Sequence, residues 1–256
     1  MRVFITGGAN GIGRATAEKL LERGHKVTVF DIDGEALATL PDGITCYQGD
    51  VYNESRVKEV VDREEFEVLV NSAAYYELGA LEDVNAETVE AHFNANVFGL
   101  LNVVRAAMPM LRDNSGRIVN MSSLAGKVSA PFFGVYSATK HSVEAISDAL
   151  RLEAEPFDVD VVVVEPGPVD TGFNERARMA LKKYLSATAY EQRYREKLED
   201  GGMDGLEPEE AAETVVEAVE TGNPKARYTP TLKTWAAIKL VALLPDSVRD
   251  RLVEKF

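Results

Sequence analysis

Short apolar runs alternate with longer amphipathic stretches along the whole chain. Seven runs are rich in β-branched residues, and most of them are apolar almost throughout, as in strands that are covered on both faces of a parallel sheet. These predicted strands are Val3–Thr6, Lys26–Asp31, Ile44–Gln48, Val68–Asn71, Arg117–Met121, Val159–Glu165 and, more briefly, Ala226–Thr229.

Helical spacing separates the predicted strands. Ile12–Arg23 ends at Gly24, and glycine commonly follows the last residue of a helix. Glu87–Leu111 carries apolar residues at spacings of three and four, which predicts one long helix, and Val135–Glu155 and Pro208–Thr221 follow the same pattern. Strand–helix alternation predicts an α/β fold with a doubly wound parallel sheet, helices on both faces and ligands at the carboxyl ends of the strands.

The 256 residues suit one domain over 1–256 better than two. The region 170–207 breaks the alternation and is rich in charge and tyrosine, so we expect an insertion that covers the substrate. The tail, 230–256, holds an apolar stretch from Trp235 to Leu244 and then a charged amphipathic end.

Charge and cysteine content narrow the possible partners and the compartment. Lys and Arg number 28 against 42 Asp and Glu, and a net charge of −14 disfavours nucleic acid as a partner. The single cysteine, Cys46, allows no intrachain disulfide. No uncharged stretch approaches the roughly 20 residues of a membrane span, and the N-terminal apolar run is far shorter than the roughly 7–15 residues of a signal peptide. We therefore expect a cytoplasmic protein without an integral membrane segment.

A glycine-rich turn follows the first predicted strand. Gly7, Gly11 and Gly13, with Asn10 and Ile12 between them, lead directly into a predicted helix. Glycine lets the backbone approach a pyrophosphate, and the helix N-terminus supplies free N–H donors. A tight turn without a ligand is the alternative, but the strand–turn–helix context favours a dinucleotide.

The second predicted strand ends at Asp31. An acidic residue at this place can accept hydrogen bonds from the adenosine ribose and would repel a 2′-phosphate. No Arg or Lys follows at once, since the next residues are Ile32 and Asp33. The sequence therefore favours NAD over NADP, unless Asp31 is only a solvated turn residue.

Three residues suggest acid–base chemistry. Ser123 follows the fifth strand, and Tyr136 and Lys140 lie four positions apart on a predicted helix, hence on one face of it. A nearby ammonium should lower the pKa of the phenol, so that Tyr136 can exchange a proton with an alcohol or ketone. The Tyr–Lys pair alone would carry no weight, because chance produces this spacing often.

Five motifs in order resemble the classical short-chain dehydrogenase/reductase family. They are TGGANGIG at 6–13, Asp50-Val51, NANVFG with Asn96, VNMSSLAG with Ser123 together with YSATK at 136–140, and Pro166-Gly167 with Val169 and Thr171. The family's NNAG is Asn71-Ser72-Ala73-Ala74 here, so Ala74 replaces a glycine. The resemblance implies a three-layer Rossmann fold and cofactor-dependent hydride transfer.

Site roles follow from the resemblance. It implies that Tyr136 is the general acid or base, that Ser123 orients the substrate oxygen, and that Lys140 tunes the phenol and binds the nicotinamide ribose. Asn96 would hold water in a proton relay, or else would be a buried core residue. The remaining implied coenzyme contacts are Asp50, Val51, Asn71, Ala73, Val169 and Thr171.

Several alternatives stay open at this point. NADP could replace NAD, and a catalytically silent dinucleotide sensor or scaffold protein could share the fold. We expect an alcohol or ketone substrate, predominantly hydrophobic, under the insertion and the tail, and a homodimer or homotetramer. The tail could instead pack on the core, form a dimer contact or rest on a membrane surface. The three histidines, His25, His92 and His141, lack ligand spacing, so no metal is expected.

Overall fold

A seven-stranded parallel sheet forms the centre of the computed structural model, which describes residues 1–199 and 205–253. The strand order is β3-β2-β1-β4-β5-β6-β7, and every pair is parallel. The strands are β1 Arg2–Thr6, β2 Lys26–Asp31, β3 Ile44–Gln48, β4 Val68–Asn71, β5 Arg117–Met121, β6 Asp160–Val164 and β7 Arg227–Tyr228. The predicted doubly wound α/β fold is confirmed.

Helices flank both faces of the sheet. They are α1 Gly11–Glu22, α2 Gly34–Leu37, α3 Glu54–Val61, α4 Ala86–Phe93, α5 Leu100–Asp113, α6 Gly134–Ala154, α7 Gly172–Met179, α8 Glu191–Glu199, α9 Pro208–Glu220, α10 Leu232–Leu243 and α11 Asp246–Val253. Within the described ranges, no helix is both long and apolar enough to cross a bilayer.

The predicted helix over Glu87–Leu111 is helical throughout, from Ala86 to Asp113, but its turns are not all α-helical. A π-helical segment, Asn94–Gly99, separates α4 from α5. The backbone of this segment packs against the chain after β3, where a Cβ added to Gly99 would lie 2.4 Å from Val51 Cγ2. Apolar residues keep helical spacing both before and after the π-helical segment. Periodicity alone therefore does not reveal that segment.

Successive residues of each strand pack against opposite helical layers. On β1, Val3 and Ile5 belong to a core cluster with Leu20 of α1 and Val219 of α9. Phe4 lies in the opposite cluster, with buried side chains of α3, α5 and α6. Two cores on one sheet make the three layers of a Rossmann fold.

The chain changes winding direction between β1 and β4. These neighbours pair in register from Val3↔Val68 to Thr6↔Asn71, so their carboxyl ends lie side by side. Connections that leave in opposite directions open a crevice at such a point, where α/β proteins bind ligands. The site is therefore expected above Thr6 and Asn71.

Candidate active site

The glycine turn is built by contacts that exclude side chains. Gly7 has φ +68°, and a Cβ there would lie 2.5 Å from the backbone nitrogen of Ala73. A Cβ on Gly13 would lie 2.1 Å from the carbonyl oxygen of Gly7. The tight contact with the segment after β4 thus falls on Gly7 and Ala73, and the family's glycine at position 74 is not needed for it.

The N-terminus of α1 fits a dinucleotide pyrophosphate. Asn10 does not cap the helix with its side chain but donates to Asp33 Oδ2 at 3.1 Å, and the first turn, which includes Ile12, has no acidic residue. Within residues 1–199 and 205–253, no side chain caps that turn, so its first backbone N–H groups are available to an anion. Thr171 stands opposite, because a Cβ on Gly11 would lie 3.3 Å from Thr171 Cγ2.

Asp31, the last residue of β2, lies beside this turn. Its carboxylate accepts hydrogen bonds from the N–H groups of Ala9 and Asp33, both at 2.9 Å. Arg14, the nearby base of the first helix, is engaged elsewhere, with Glu18 and with Thr39, each at 2.8 Å.

A second arginine, Arg176, lies near Asp33 at this end of the crevice. The pKa of Asp33 is lowered, chiefly by the N–H of Ala36 and the amide of Asn10, and Arg176 of α7 contributes to the effect. The guanidinium of Arg176 therefore lies close enough to Asp33 to favour the charged form of that carboxylate.

Asp50 and Val51 lie after β3, at the far edge of the crevice. Asp50 Oδ1 accepts from the N–H of Tyr52 at 2.9 Å, and the buried Val51 offers its carbonyl to Asn102 Nδ2 at 3.2 Å. The adenine contact implied by the resemblance stays a prediction, but the segment is held in place.

A buried polar chain supports the floor of the crevice. Asn71 donates to Asn120 of β5 at 2.9 Å, and Asn120 donates to Ser147 of α6 at 2.9 Å. Asn71 Oδ1 is buried and has no hydrogen-bond partner in the described part of the chain. The sequence analysis did not single out Asn120 or Ser147; an asparagine within the apolar strand β5 was the available signal.

The three catalytic candidates come together above β5. Ser123 sits in a turn held to the end of β6 by backbone bonds from Ser122 to Val164 and from Leu124 to Pro166, both 2.8 Å. Tyr136 lies in the first turn of α6, with its phenol near enough to Ser123 for that hydroxyl to lower the pKa of the phenol. Lys140 lies one turn later.

Lys140 is fixed by a backbone contact. Its Nζ donates to the Met121 carbonyl at 2.8 Å and lies 5.7 Å from the ring centroid of Tyr136. The side chain is buried, so few other positions are open to the ammonium group.

Burial dominates the protonation of this pair. Desolvation raises the pKa of Tyr136, and the hydrogen bond with Ser123 offsets only part of that effect. Desolvation also lowers the pKa of Lys140 to about 8, although the Glu144 carboxylate opposes the shift. The sequence-based expectation of a lowered Tyr136 pKa is therefore not met, because helix spacing says nothing about desolvation.

Asn96 joins two walls of the site. Its Oδ1 accepts from the N–H of Tyr75 at 2.6 Å, while Nδ2 donates to the Tyr75 carbonyl and to Thr139 Oγ1, both at 2.9 Å. Thr139 in turn donates to the Tyr136 carbonyl at 2.7 Å. Asn96 thus ties the loop after β4 to the helix that carries Tyr136 and Lys140.

Aromatic rings surround the phenol of Tyr136. The Tyr76 ring lies 4.3 Å from it between centroids, and Phe173 of α7 lies 5.5 Å from Tyr76 and 6.4 Å from Tyr136. Phe133 lies 5.7 Å from Tyr76. We call Tyr76, Phe133 and Phe173 the aromatic wall. The sequence analysis missed Tyr76, whose position in the loop directly after β4 was the available signal.

The insertion is anchored over this wall by a buried tyrosine. Tyr194 of α8 is fully buried; its hydroxyl donates to Asp83 Oδ2 at 2.5 Å and accepts from the Ala80 N–H at 2.7 Å. Tyr194 therefore holds the cover in place rather than lining the wall. The part of the predicted insertion at 200–204 lies outside the described residues.

The tail packs against a different part of the site. Thr234 and Ile238 are the buried side chains of α10, and a Cβ on Gly167 would lie 2.7 Å from Thr234 Oγ1. Val169, in the same loop, is buried and bridges to Leu206. The described tail thus braces the loop after β6, and the apolar cluster around Tyr136 is formed by other segments.

A buried charge cluster lies behind Lys140. Glu144, one turn further along α6, pairs with Lys127 at 2.7 Å and with Arg227 of β7 at 3.1 Å. Glu165, at the end of β6, lies 3.3 Å from Lys127 and 3.2 Å from Arg227, and burial raises its pKa. Nothing in the sequence pattern pointed to this cluster.

Within the described residues, no group of His, Cys, Asp and Glu side chains is arranged to hold a metal ion.

Known proteins share both the sequence and the fold. The short chain dehydrogenase family model matches residues 1–182. A probable short-chain type dehydrogenase/reductase of Helicobacter pylori is 36% identical, over 97% of this chain and 94% of its own. A 3-ketodihydrosphingosine reductase of Bacteroides thetaiotaomicron is 30% identical, over 96% of this chain and 94% of its own.

A solved structure supports the same assignment. The structure of a short chain dehydrogenase from Burkholderia cenocepacia in complex with NADP superposes with a TM-score of 0.81 at 25% identity, covering 98% of this chain and 97% of that one. With the glycine turn and the Ser123–Tyr136–Lys140 site in place, these matches show that the chain belongs to the short-chain dehydrogenase family of nicotinamide-dependent oxidoreductases.

Proposed function

We propose that the protein is an NAD-dependent alcohol dehydrogenase or ketone reductase that acts on an extended apolar substrate. The observation that carries the proposal is the setting of Tyr136, whose phenol lies against the aromatic wall and not in a polar pocket. Apolar walls with few polar groups suit hydrophobic ligands. The relative that acts on 3-ketodihydrosphingosine supports a lipid-like ketone.

The proton chemistry falls to three residues. In reduction, Tyr136 gives its phenolic proton to the substrate oxygen, and Ser123 donates a hydrogen bond to that oxygen as charge develops. The Lys140 ammonium stabilises the phenolate that remains. The nicotinamide, when bound, supplies or accepts the hydride.

Coenzyme binding draws on the residues around the crevice. We assign the pyrophosphate to the glycine turn and α1, the adenosine ribose to Asp31, and the adenine to Asp50 and Val51. We place Asn71 and Ala73 on the adenosine side of the coenzyme. We assign the nicotinamide ribose to Lys140 and Tyr136, and the carboxamide to Val169 and Thr171. Asn96 supports this end of the site. A silent sensor is disfavoured, because a protein that only binds the coenzyme needs no assembled Ser123–Tyr136–Lys140 group.

A ketone series of rising chain length tests the substrate class. We expect kcat/KM to rise by about three- to fourfold per buried methylene until the pocket is filled. Phe173→Ala should flatten this rise, with a loss of about tenfold or more for the longest ketone, because part of the aromatic wall is removed. Steady-state kinetics with NADH measures both effects.

A matched control is available at Phe157, an exposed ring that packs under Arg112 beyond the end of α6. Phe157→Ala should leave the chain-length dependence unchanged. Equal kcat/KM for short and long ketones in the parent enzyme would contradict the proposed substrate class while leaving the redox chemistry intact.

Glu144 offers a separate prediction about the pH dependence. Its charge raises the pKa of Lys140, so Glu144→Gln should lower that pKa further. Because the ammonium form is required, the alkaline limb of the kcat/KM profile should move to lower pH by roughly half a unit to one unit. The pH–rate profile from pH 6 to 10 measures the shift.

Asp148→Asn is the matched control for that shift. Asp148 lies one turn beyond Glu144 and also binds Arg227, at 2.7 Å. The Asp148→Asn substitution should leave the alkaline limb of the kcat/KM profile unchanged if Glu144 acts through Lys140. Equal shifts in both variants would mean that the net charge of the cluster, and not Glu144 in particular, sets the pKa of Lys140. We also expect a homodimer or homotetramer in the cytoplasm, which light scattering and fractionation can check.

A further inference from the structure

One face of α10 exposes large apolar side chains. Leu232, Trp235, Leu240 and Leu243 are between 50% and 84% exposed, and at 100° per residue they project from one side of the helix. The buried Thr234 and Ile238 project from the opposite side. We call the four exposed residues the tail face. Several large apolar side chains exposed on one side of a helix mark an interaction surface.

The segment that carries this face is basic, whereas the chain as a whole is acidic. Residues 221–245 contain four basic residues, Lys225, Arg227, Lys233 and Lys239, and no acidic one, although the chain carries 42 Asp and Glu. Arg227 is used by the buried cluster. Lys239 projects within the tail face, between Trp235 and Leu232, and Lys233 projects at its edge. Both are exposed, and neither forms an ion pair with an acidic residue of the described part of the chain.

We propose that the tail face docks on the surface of a bilayer that contains anionic lipids. Leucine and tryptophan can enter the boundary between headgroups and acyl chains, while the two ammonium groups meet lipid phosphates. The net charge of −14 repels an anionic surface from the rest of the molecule, so it favours approach by this basic segment.

A second copy of the chain fits this face less well. Isologous pairing about a two-fold axis places the same patch of both copies together. That arrangement would bring Lys233 and Lys239 close to their counterparts, with like charges opposed. A bilayer offers apolar volume and negative charge at once.

Docking would place the membrane near the active-site edge. Thr234 of α10 packs on Gly167, in the loop that follows β6, and Ser123 is held to the end of the same strand. An apolar ketone could then reach the site from the bilayer. Membrane binding does not depend on the proposed substrate, so the two proposals can fail separately.

The single tryptophan of the chain lies on the tail face, so its fluorescence reports on docking directly. The full chain is titrated with vesicles of phosphatidylcholine alone or mixed with phosphatidylglycerol. We expect a blue shift and quenching by brominated acyl chains with the anionic vesicles only, weakening as salt screens the charges. Absence of the shift, or equal binding to both vesicle types, would overturn the proposal.

Paired variants separate docking from folding. Leu232→Ser with Leu243→Ser, and Lys233→Glu with Lys239→Glu, should each weaken anionic-vesicle affinity by about tenfold or more. Leu152→Ser with Phe157→Ser removes two exposed apolar side chains elsewhere and should change nothing. All three should keep their activity on a short, water-soluble ketone. If the leucine pair alters the mass in light scattering while vesicle binding persists, the face joins copies of the chain instead.

Discussion

A Tyr136→Phe enzyme is expected to lose about 10²- to 10⁴-fold in kcat while binding coenzyme within a few-fold of the parent. The substitution removes only the hydroxyl, the group proposed to transfer the proton, from a side chain near Ser123. The ring keeps its contacts with Tyr76 and Phe173, so the wall and the crevice should be undisturbed. Steady-state turnover, together with a fluorescence titration of the coenzyme, measures both parts.

Tyr76→Phe is the matched control, because it removes a hydroxyl from the neighbouring ring. Its kcat should stay close to that of the parent. Lys140→Ala should instead impair both turnover and coenzyme binding, since Lys140 is assigned to the phenol and to the ribose. Near-normal kcat in Tyr136→Phe would rule out the proposed proton donor.

Coenzyme preference should favour NAD by about 10–150-fold in kcat/KM. Asp31 carries this expectation, because its carboxylate lies on the glycine turn, where a 2′-phosphate would meet a like charge. The Burkholderia cenocepacia relative binds NADP in the same fold, so local residues and not the fold decide the preference. Parallel kinetics with NADH and NADPH measure the ratio.

Asp31→Asn should move that ratio toward NADP by about tenfold, because it removes the charge and keeps an acceptor for the turn. Asp33→Asn, two residues away, is the control and should have a smaller effect. Arg176→Gln should strengthen the preference for NAD if that guanidinium softens the repulsion. Equal kcat/KM for the two coenzymes in the parent would mean that Asp31 does not meet the ribose.

The strands could be located from the sequence because each is a local apolar run. β2, β3, β4 and β5 have the predicted bounds, and β6 and β7 are shorter than predicted. The helix over Glu87–Leu111 was located in the same way, but its π-helical segment was not, and there Asn96 and Gly99 contact Tyr75 and Val51, which lie far away in the sequence. Hydrophobic spacing indicates which residues of a helix face the core, but it does not indicate whether a turn is α-helical or π-helical.

The sequence by itself determined the order of the motifs, and with it the meeting of Ser123, Tyr136 and Lys140. Parallel strands bring their carboxyl ends to one edge, and residues four apart share a helix face, so local rules suffice for this group. Only the tertiary structure decided the protonation of the pair, the placing of Tyr76 against Tyr136, and the Glu144 cluster behind Lys140. Desolvation and ion pairing depend on contacts between segments that are far apart in the chain. No local sequence pattern shows which of these segments will be in contact.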